Sequence, residues 1–315
     1  MITLSSSEIK NICLEEGLDA CGIAKAGLLN EEIERYTGWL NKGMNAGMAF
    51  MNNNNDKRFN PSLLLEDSRS IIVTLTSYKP KDNLLPLTDY KFARYARGAD
   101  YHNVIKEKLS KIIDYLDEKA PGNKHKIFVD TIPVLEKILA NKAGLGWIGK
   151  NTLLINPVLG SYTFIGGIIT TLDLEADKPF GGDLCGSCNR CLRHCPTSAL
   201  NGDRTMDARK CISYLTIEHK EELPGWLQKK NSDNIYGCDI CQEVCPWNTK
   251  SPTGKTSDFE PSEELLKMRN EDWNQLNEEN FKKLFKNTAV ERLKFNRMKR
   301  NIEHVIAARQ KKSES

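Results

Sequence analysis

No run in this sequence approaches the roughly 20 apolar residues that a membrane-crossing helix requires, so a protein built on such helices is not expected. The opening "MITLSSSEIKNICLEEGLDACGIAKAG" has no basic stretch leading into a long apolar segment and no twin arginine. No export signal is read there, and the cytoplasm is the expected compartment. Nucleotide motifs are missing as well: no Gly-x-Gly-x-x-Gly follows a strand pattern, and no Walker loop occurs. No repeat of solenoid period is found, and "MNNNND" is too short to count as low complexity. Net charge is only +3, too small to name a partner by itself.

What is abundant is cysteine. The chain has 315 residues, enough for two or three domains, and ten of them are Cys. Eight lie in one window: Cys185, Cys188, Cys191, Cys195, Cys211, Cys238, Cys241 and Cys245. In a reducing compartment such clustering reads as metal ligation rather than disulfides. The outliers Cys13 and Cys21 read as small hydrophobes. "CGSCNRCLRHCP" has the Cys-x₂-Cys-x₂-Cys-x₃-Cys-Pro spacing that bacterial ferredoxins use for [4Fe–4S] clusters. "CDICQEVCPWN" is one cysteine short of the same run, and Cys211 in "CISYLTIE" can supply it. Eight thiolates serve two clusters. In two-cluster ferredoxins the fourth Cys of each run ligates the other cluster. That assigns Cys185, Cys188, Cys191 and Cys245 to one and Cys195, Cys211, Cys238 and Cys241 to the other. The competing reading is a pair of structural Cys₄ zinc sites. Interleaved ligands make the two clusters close neighbours, so one passes electrons to the other and one faces the larger N-terminal domain.

The chain divides into an α/β (or α+β) domain over 1–178, a ferredoxin-like two-cluster domain over 179–250 and a helical, basic segment over 251–315. In the first, "RSIIVTLTSY", "KIFVD" and "YTFIGGIITTLDL" read as strands, short and β-branched between turn formers. "NVIKEKLSKIIDYLDEK" reads as a helix with Val104, Ile105, Leu109, Ile112, Ile113 and Leu116 on one face. "EADKPFGGD" and "SPTGKTSD" read as the two linkers. The segment "KNTAVERLKFNRMKRNIEHVIAARQKK" carries nine Lys or Arg against two Glu. It is either a polyanion-binding stripe or a solvated helix face. Arg190 and Arg193, between cluster cysteines, could equally be solvated.

Two stretches of the first domain carry chemistry. In "AGLGWIGKNTLL", Gly144, Gly146 and Gly149 either let backbone approach a bulky flat ligand or make a tight turn. In "KIFVDTIPVLEK", Asp130 follows an apolar strand. Burial there would raise its pKa and make it a general acid near neutral pH. The alternative is an N-cap for the helix that follows.

Taken in order, "YARGADYH", "VDTIPVLEK", "GLGWIGKNTLL", "CGSCNRCLRHCPTSAL", "CISYLTIE" and "CDICQEVCPWN" resemble the epoxyqueuosine reductase family, with "ERLKFNRMKRN" matching its closing helix. The likeness runs from about residue 15 to residue 301. It implies an oxidoreductase, an N-terminal domain holding base-off cobalamin, and two [4Fe–4S] clusters feeding electrons to cobalt. The substrate implied is epoxyqueuosine at the wobble position of tRNAs with a GUN anticodon, reduced to queuosine in the pathway's last step. The family's proton donor falls on Asp130. Its cobalamin contacts fall on Arg58 in "KRFNPS", Arg97, Asp130, Leu154 and Ser213, with Lys150 and Asn151 as polar partners for the corrin amides. Arg292, Lys294, Arg297, Lys299 and Arg300 would meet tRNA phosphates by charge. A small flavodoxin- or ferredoxin-type donor, a monomer and no membrane complete the expectation. Longer members of the family add a C-terminal helical-repeat domain that contributes to tRNA binding, and this chain ends at "RNIEHVIAARQKKSES". Two rival readings are a dehalogenase-like cobalamin reductase acting on a small molecule and a two-cluster electron-transfer protein.

Overall fold

The computed structural model describes residues 4–81, 87–231 and 233–313. Among these, eight strands form in chain order: β1 Ala20–Lys25, β2 Ser70–Ser77, β3 Lys91–Phe92, β4 His125–Phe128, β5 Trp147–Ile148, β6 Leu154–Ile155, β7 Thr163–Thr170 and β8 Asn234–Tyr236. The α-helices of the first half are α1 Ser6–Glu15, α2 Asn30–Asn41, α3 Asn55–Phe59, α4 Tyr101–Lys119 and α5 Glu136–Lys142. The second half holds α6 Arg190–His194, α7 Ile212–Ile217, α8 Ile240–Glu243, α9 Pro246–Lys250, α10 Glu263–Lys267, α11 Asn270–Asn274, α12 Glu278–Leu284 and α13 Phe295–Ser313.

The main sheet has the order β1-β2-β7-β4, and every neighbouring pair is antiparallel. Of the two expected forms, this is the α+β one. All eight residues of β2 are buried, because both sheet faces are covered. Alternation divides them: Ile72 and Ile168 join Ile9, Ile105, Leu109 and Ile112 under α1 and α4. Ile71, Val73 and Ile169 turn the other way, toward Leu139 and Ala140 of α5. Helix α4 buries Ile105, Leu109, Ile112 and Leu116, while Val104 and Ile113 of the expected face are only partly covered. Asp100 caps it by accepting from the His102 N–H at 3.0 Å. Cys13 and Cys21 lie in this core and beside it.

A second core crosses the chain. Strand β3 pairs in parallel with β8, and Phe92 stacks on Tyr236 at 4.9 Å and on Phe285 at 5.6 Å between ring centroids. Trp273, Phe281, Met298, Ile302 and Val305 complete it, so α11 to α13 pack against a segment from the first hundred residues. Truncating an aromatic buried this way costs about 3–5 kcal/mol. The cysteine module is clamped to the sheet domain by Asn248. Its side chain accepts from the Ser161 N–H at 2.7 Å and donates to the Gln242 carbonyl at 2.8 Å.

The glycine-rich stretch makes the small β5–β6 hairpin. Gly146 has φ +154°, and a Cβ there would sit 2.2 Å from the Ile155 carbonyl oxygen. Between ligand approach and tight turn, the packing favours the turn. Among the described residues no helix is long and apolar enough to cross a membrane.

Candidate active site

A cavity of about 770 Å³ opens where the ends of β4 and β7, the start of α4, the α2–α3 region and the 204–206 loop converge. Its wall is largely apolar and aromatic, with Tyr36, Trp39, Phe50, Tyr78 and Phe164 prominent. Asp130 stands on this wall, just beyond β4, with φ +51°. It caps nothing: the N-cap position of α5 is Leu135, which makes no side-chain cap bond. Nor is it the buried acid expected from sequence, since its side chain is 60% exposed. The strand stops two residues earlier, at Phe128, and the chain swings Asp130 outward.

Three neighbours hold it. The Tyr101 hydroxyl donates to Asp130 Oδ2 at 3.0 Å. The Tyr101 ring is sandwiched between His102 and Phe164, 4.0 and 4.3 Å away between centroids. Burial and the Asp130 carboxylate push the Tyr101 phenol far up, so it stays a donor. His102 Nε2 lies 3.9 Å from Asp130 Oδ2, and its Nδ1 meets Asp100 Oδ1 at 2.6 Å. The Asp130 N–H donates to Glu136 Oε1 at 2.6 Å. Desolvation, then the nearby Asp130 charge, push the partly buried Glu136 carboxyl up to about 8. Tyr101, His102 and Glu136 were missed as site residues. All three stand inside the stretches "YARGADYH" and "VDTIPVLEK", and the signal was that α4 starts against the end of β4.

Of the expected cofactor residues, the cavity gathers Arg58, Asp130 and Leu154. Arg58 is 8% exposed and donates to the carbonyls of Phe50 and Asn53. Its Nε is buried without a hydrogen-bond partner. The other four lie off the cavity wall. Arg97 gives Nε and Nη2 to the Phe92 carbonyl at 3.0 and 2.8 Å. Lys150 reaches the carbonyls of Gly186 and Cys188 at 2.6 and 2.9 Å, holding the cysteine loop. Asn151 is buried in the β5–β6 turn, and its Oδ1 accepts from the Leu153 N–H. Ser213 offers its N–H to the Cys211 sulfur.

The eight cysteines fall into two interacting sets. Cys191 feels Cys185, Cys188 and Cys245. Cys238 feels Cys195 and Cys211, and Cys241 feels Cys238 and Cys211. Cys241 also feels Cys191, so the sets adjoin. Peptide N–H groups point at the sulfurs, from Ile240 to Cys238 and from Trp247 and Asn248 to Cys245. Burial pushes the Cys238 thiol up to about 12. Among the described residues no three Cys, His, Asp or Glu side chains converge on a single metal-ion position. Cys211 and Cys238 pack against the core of Ala208, Ile212, Tyr214, Leu215 and Leu227, as do Met48 and Met206, which line the cavity. Cys185 and Cys245 pack instead with Trp147, Phe180 and Trp247, away from it.

The basic residues of the last segment divide. Arg297 donates to the carbonyls of Ile217, Leu293 and Arg292, and Arg300 to those of Leu215, His219 and Glu221. Both are spent on fastening the C-terminal end of α7, where cations suit the helix dipole. Arg292 pairs with Glu218 at 3.1 Å. Lys294 and Lys299 are exposed, the latter 3.8 Å from Glu303.

The family description "Epoxyqueuosine reductase QueG, DUF1730" matches residues 58–131, and "4Fe-4S double cluster binding domain" matches 184–248. An epoxyqueuosine reductase of Leadbetterella byssophila is 44% identical over 300 residues, covering 95% of this chain and 98% of that protein. The crystal structure of an epoxyqueuosine reductase with an epoxyqueuosine-modified tRNA-Tyr stem loop superposes with a TM-score of 0.89 at 30% identity. That match spans 96% of this chain and 80% of the other. One from Bacillus subtilis, its catalytic aspartate loop swung out of the active site, gives 0.88 at 29% identity over 96% and 81% of the two chains. By sequence over nearly its whole length, this chain, an oxidoreductase, belongs to the epoxyqueuosine reductase family.

Proposed function

We propose that the cavity reduces epoxyqueuosine at the wobble position of GUN-anticodon tRNAs, with Asp130 as proton donor and the two cysteine sets as electron carriers. The observation that carries this is the placement of an exposed carboxylate on the wall of an apolar cavity whose Met48 and Met206 pack against the same small core as Cys211 and Cys238. Converting the epoxide to the alkene breaks two carbon–oxygen bonds, forms one carbon–carbon double bond and consumes two electrons and two protons. The oxygen leaves as water.

The cysteine sets suit [4Fe–4S] clusters better than zinc. Four thiolates on one zinc, each about 2.3 Å from it, would bring their sulfurs within about 4 Å. In a cubane each thiolate takes its own iron and the sulfurs stay further apart, and the match of residues 184–248 to a 4Fe-4S double cluster binding domain supports that ligation. The clusters would carry electrons singly from a small donor protein, entering at the Cys185–Cys188–Cys191–Cys245 set and leaving by the set beside the cavity. Cobalamin also fits: the wall is mostly apolar, and Arg58, which lines it, has a buried Nε without a hydrogen-bond partner. Arg58 and Leu154 would hold it, in its base-off form. When bound it would supply low-potential electrons to the substrate carbon.

The chain's own residues do the rest. Tyr101 fixes Asp130 through Oδ2, leaving Oδ1 to carry a proton to the departing oxygen. The exposed side chain is reloaded from water. Lys294 and Lys299 are the basic residues of the closing helix region left free enough to meet phosphates.

The test is an anaerobic assay on cluster-reconstituted protein with reductant and epoxyqueuosine-containing tRNA, with and without cobalamin, reading nucleoside mass. Loss of one oxygen only with cobalamin is expected, and Asp130→Asn should slow it about 10²–10⁴-fold with tRNA affinity unchanged. No conversion by protein with both clusters intact would refute the assignment.

A further inference from the structure

We propose that Glu136 is a positioning residue: its side chain closes the loop from Asp130 to Glu136 and thereby holds the Asp130 carboxylate in the cavity. This rests on the reading of Asp130 as proton donor. The loop leaves β4 at Phe128 and re-enters regular structure at Glu136, the first residue of α5. Between them Thr131, Ile132 and Pro133 line the cavity. Inside the loop one backbone bond forms, from the Val134 N–H to the Ile132 carbonyl. Asp130 itself sits at φ +51°, in the left-handed region that a residue with a Cβ occupies at a cost unless its surroundings impose it. Two contacts impose it. Tyr101 grips the side chain at 3.0 Å, and Glu136 grips the backbone N–H at 2.6 Å.

The second grip fixes the backbone because it comes from a helix rooted in the sheet core through Leu139 and Ala140. A protonated carboxyl still accepts through its carbonyl oxygen, so Glu136 can hold the amide without adding a second negative charge beside Asp130. In the Bacillus subtilis relative the catalytic aspartate loop is swung out of the active site. A loop with two positions needs something that favours one, and in this chain the Glu136 bond does so.

Three variants of the reconstituted holoenzyme separate the possibilities. Two quantities are read: the single-turnover rate on epoxyqueuosine-tRNA, and deuterium uptake across residues 126–136. Glu136→Ala is expected to lower the rate and raise exchange about three- to tenfold, the effect of losing one hydrogen bond to an uncharged carboxyl. tRNA affinity and melting temperature should move little. Glu136→Gln should restore both quantities to near wild type, since its amide oxygen accepts the same N–H. Wild-type rate and exchange in Glu136→Ala would overturn the proposal. So would a Glu136→Gln variant with protected exchange and no activity, which would make Glu136 a proton carrier. Asp130→Asn with wild-type rate would sink the donor reading alone, because the exchange measurement tests the Glu136 grip by itself.

Discussion

The cysteine module and the cavity beside it are held together by opposite means. The cysteines sit on or next to helices of four to six residues, α6 to α9, too short to be stable alone. Their sulfurs are ringed by peptide N–H groups, with burial pushing the Cys238 thiol up to about 12. With its clusters bound, such a module would owe its order to the metal. The cavity's frame consists of two eight-residue strands and the 19-residue α4, all with buried apolar faces. It needs no ligand to form. The two meet along Met48, Met206 and Asn248, so in the proposed reaction electrons would cross from a metal-ordered region into a core-ordered one.

The sharpest way to break that contrast is to remove one thiolate. Cys241→Ser takes a ligand from the set beside the cavity, in a side chain that also feels Cys191. Iron should fall from about eight to about four atoms per chain, and epoxyqueuosine reduction should drop below detection. The sheet domain should keep its far-ultraviolet circular dichroism. Full activity with four irons would show that one cluster is idle, and collapse of the sheet domain would show that the two regions are not separable.

The same contrast explains what could be read from the sequence. Cubane ligation demands cysteine and fixed spacing, so all eight candidates were legible in a window from 185 to 245. The core strands were legible because covering both sheet faces leaves β2 and β7 rich in β-branched and apolar residues, with no charged one. The cavity wall was not, for it is assembled from α2, the 50–58 region, Tyr101, Asp130 and Met206, which only topology brings together. Asp130 was found through the family motif, while its exposure depended on where β4 stops. Lys150 looked like a ligand contact because a lysine after glycines gives no hint that it reaches Gly186 and Cys188. Arg297 and Arg300 were read by charge alone, which cannot tell a phosphate contact from a carbonyl clamp.

That last confusion gives the next test, on α13. Arg300→Ala leaves the carbonyls of Leu215, His219 and Glu221 without their guanidinium. It should destabilise the protein by about 2 kcal/mol, seen as a lower midpoint in urea. Lys299→Ala touches only an exposed pair with Glu303 and should change stability by less than about 0.5 kcal/mol. If the helix meets tRNA, Lys299→Ala should instead weaken binding a few-fold and reduce its salt dependence by about one ion. Equal stability losses in both variants would erase the distinction drawn between clamp and contact.

The remaining expected effect is on pH. Glu136 is held near 8 in the folded protein against 4.5 for the free group, so between those values the folded state carries a proton that the unfolded state has released. Stability contributed by this group is therefore greatest below pH 4.5, falls as pH rises, and is fully lost above about 8. Glu136→Gln cannot ionise. Across that window it should flatten the fall in urea-midpoint stability of cluster-loaded, cobalamin-free protein, while Asp130→Asn, by removing the neighbouring charge that raises the Glu136 carboxyl, should end the fall at lower pH. A wild-type slope in Glu136→Gln would place the titrating carboxyl elsewhere and leave the cavity wall no less polar than the surface around the cysteines.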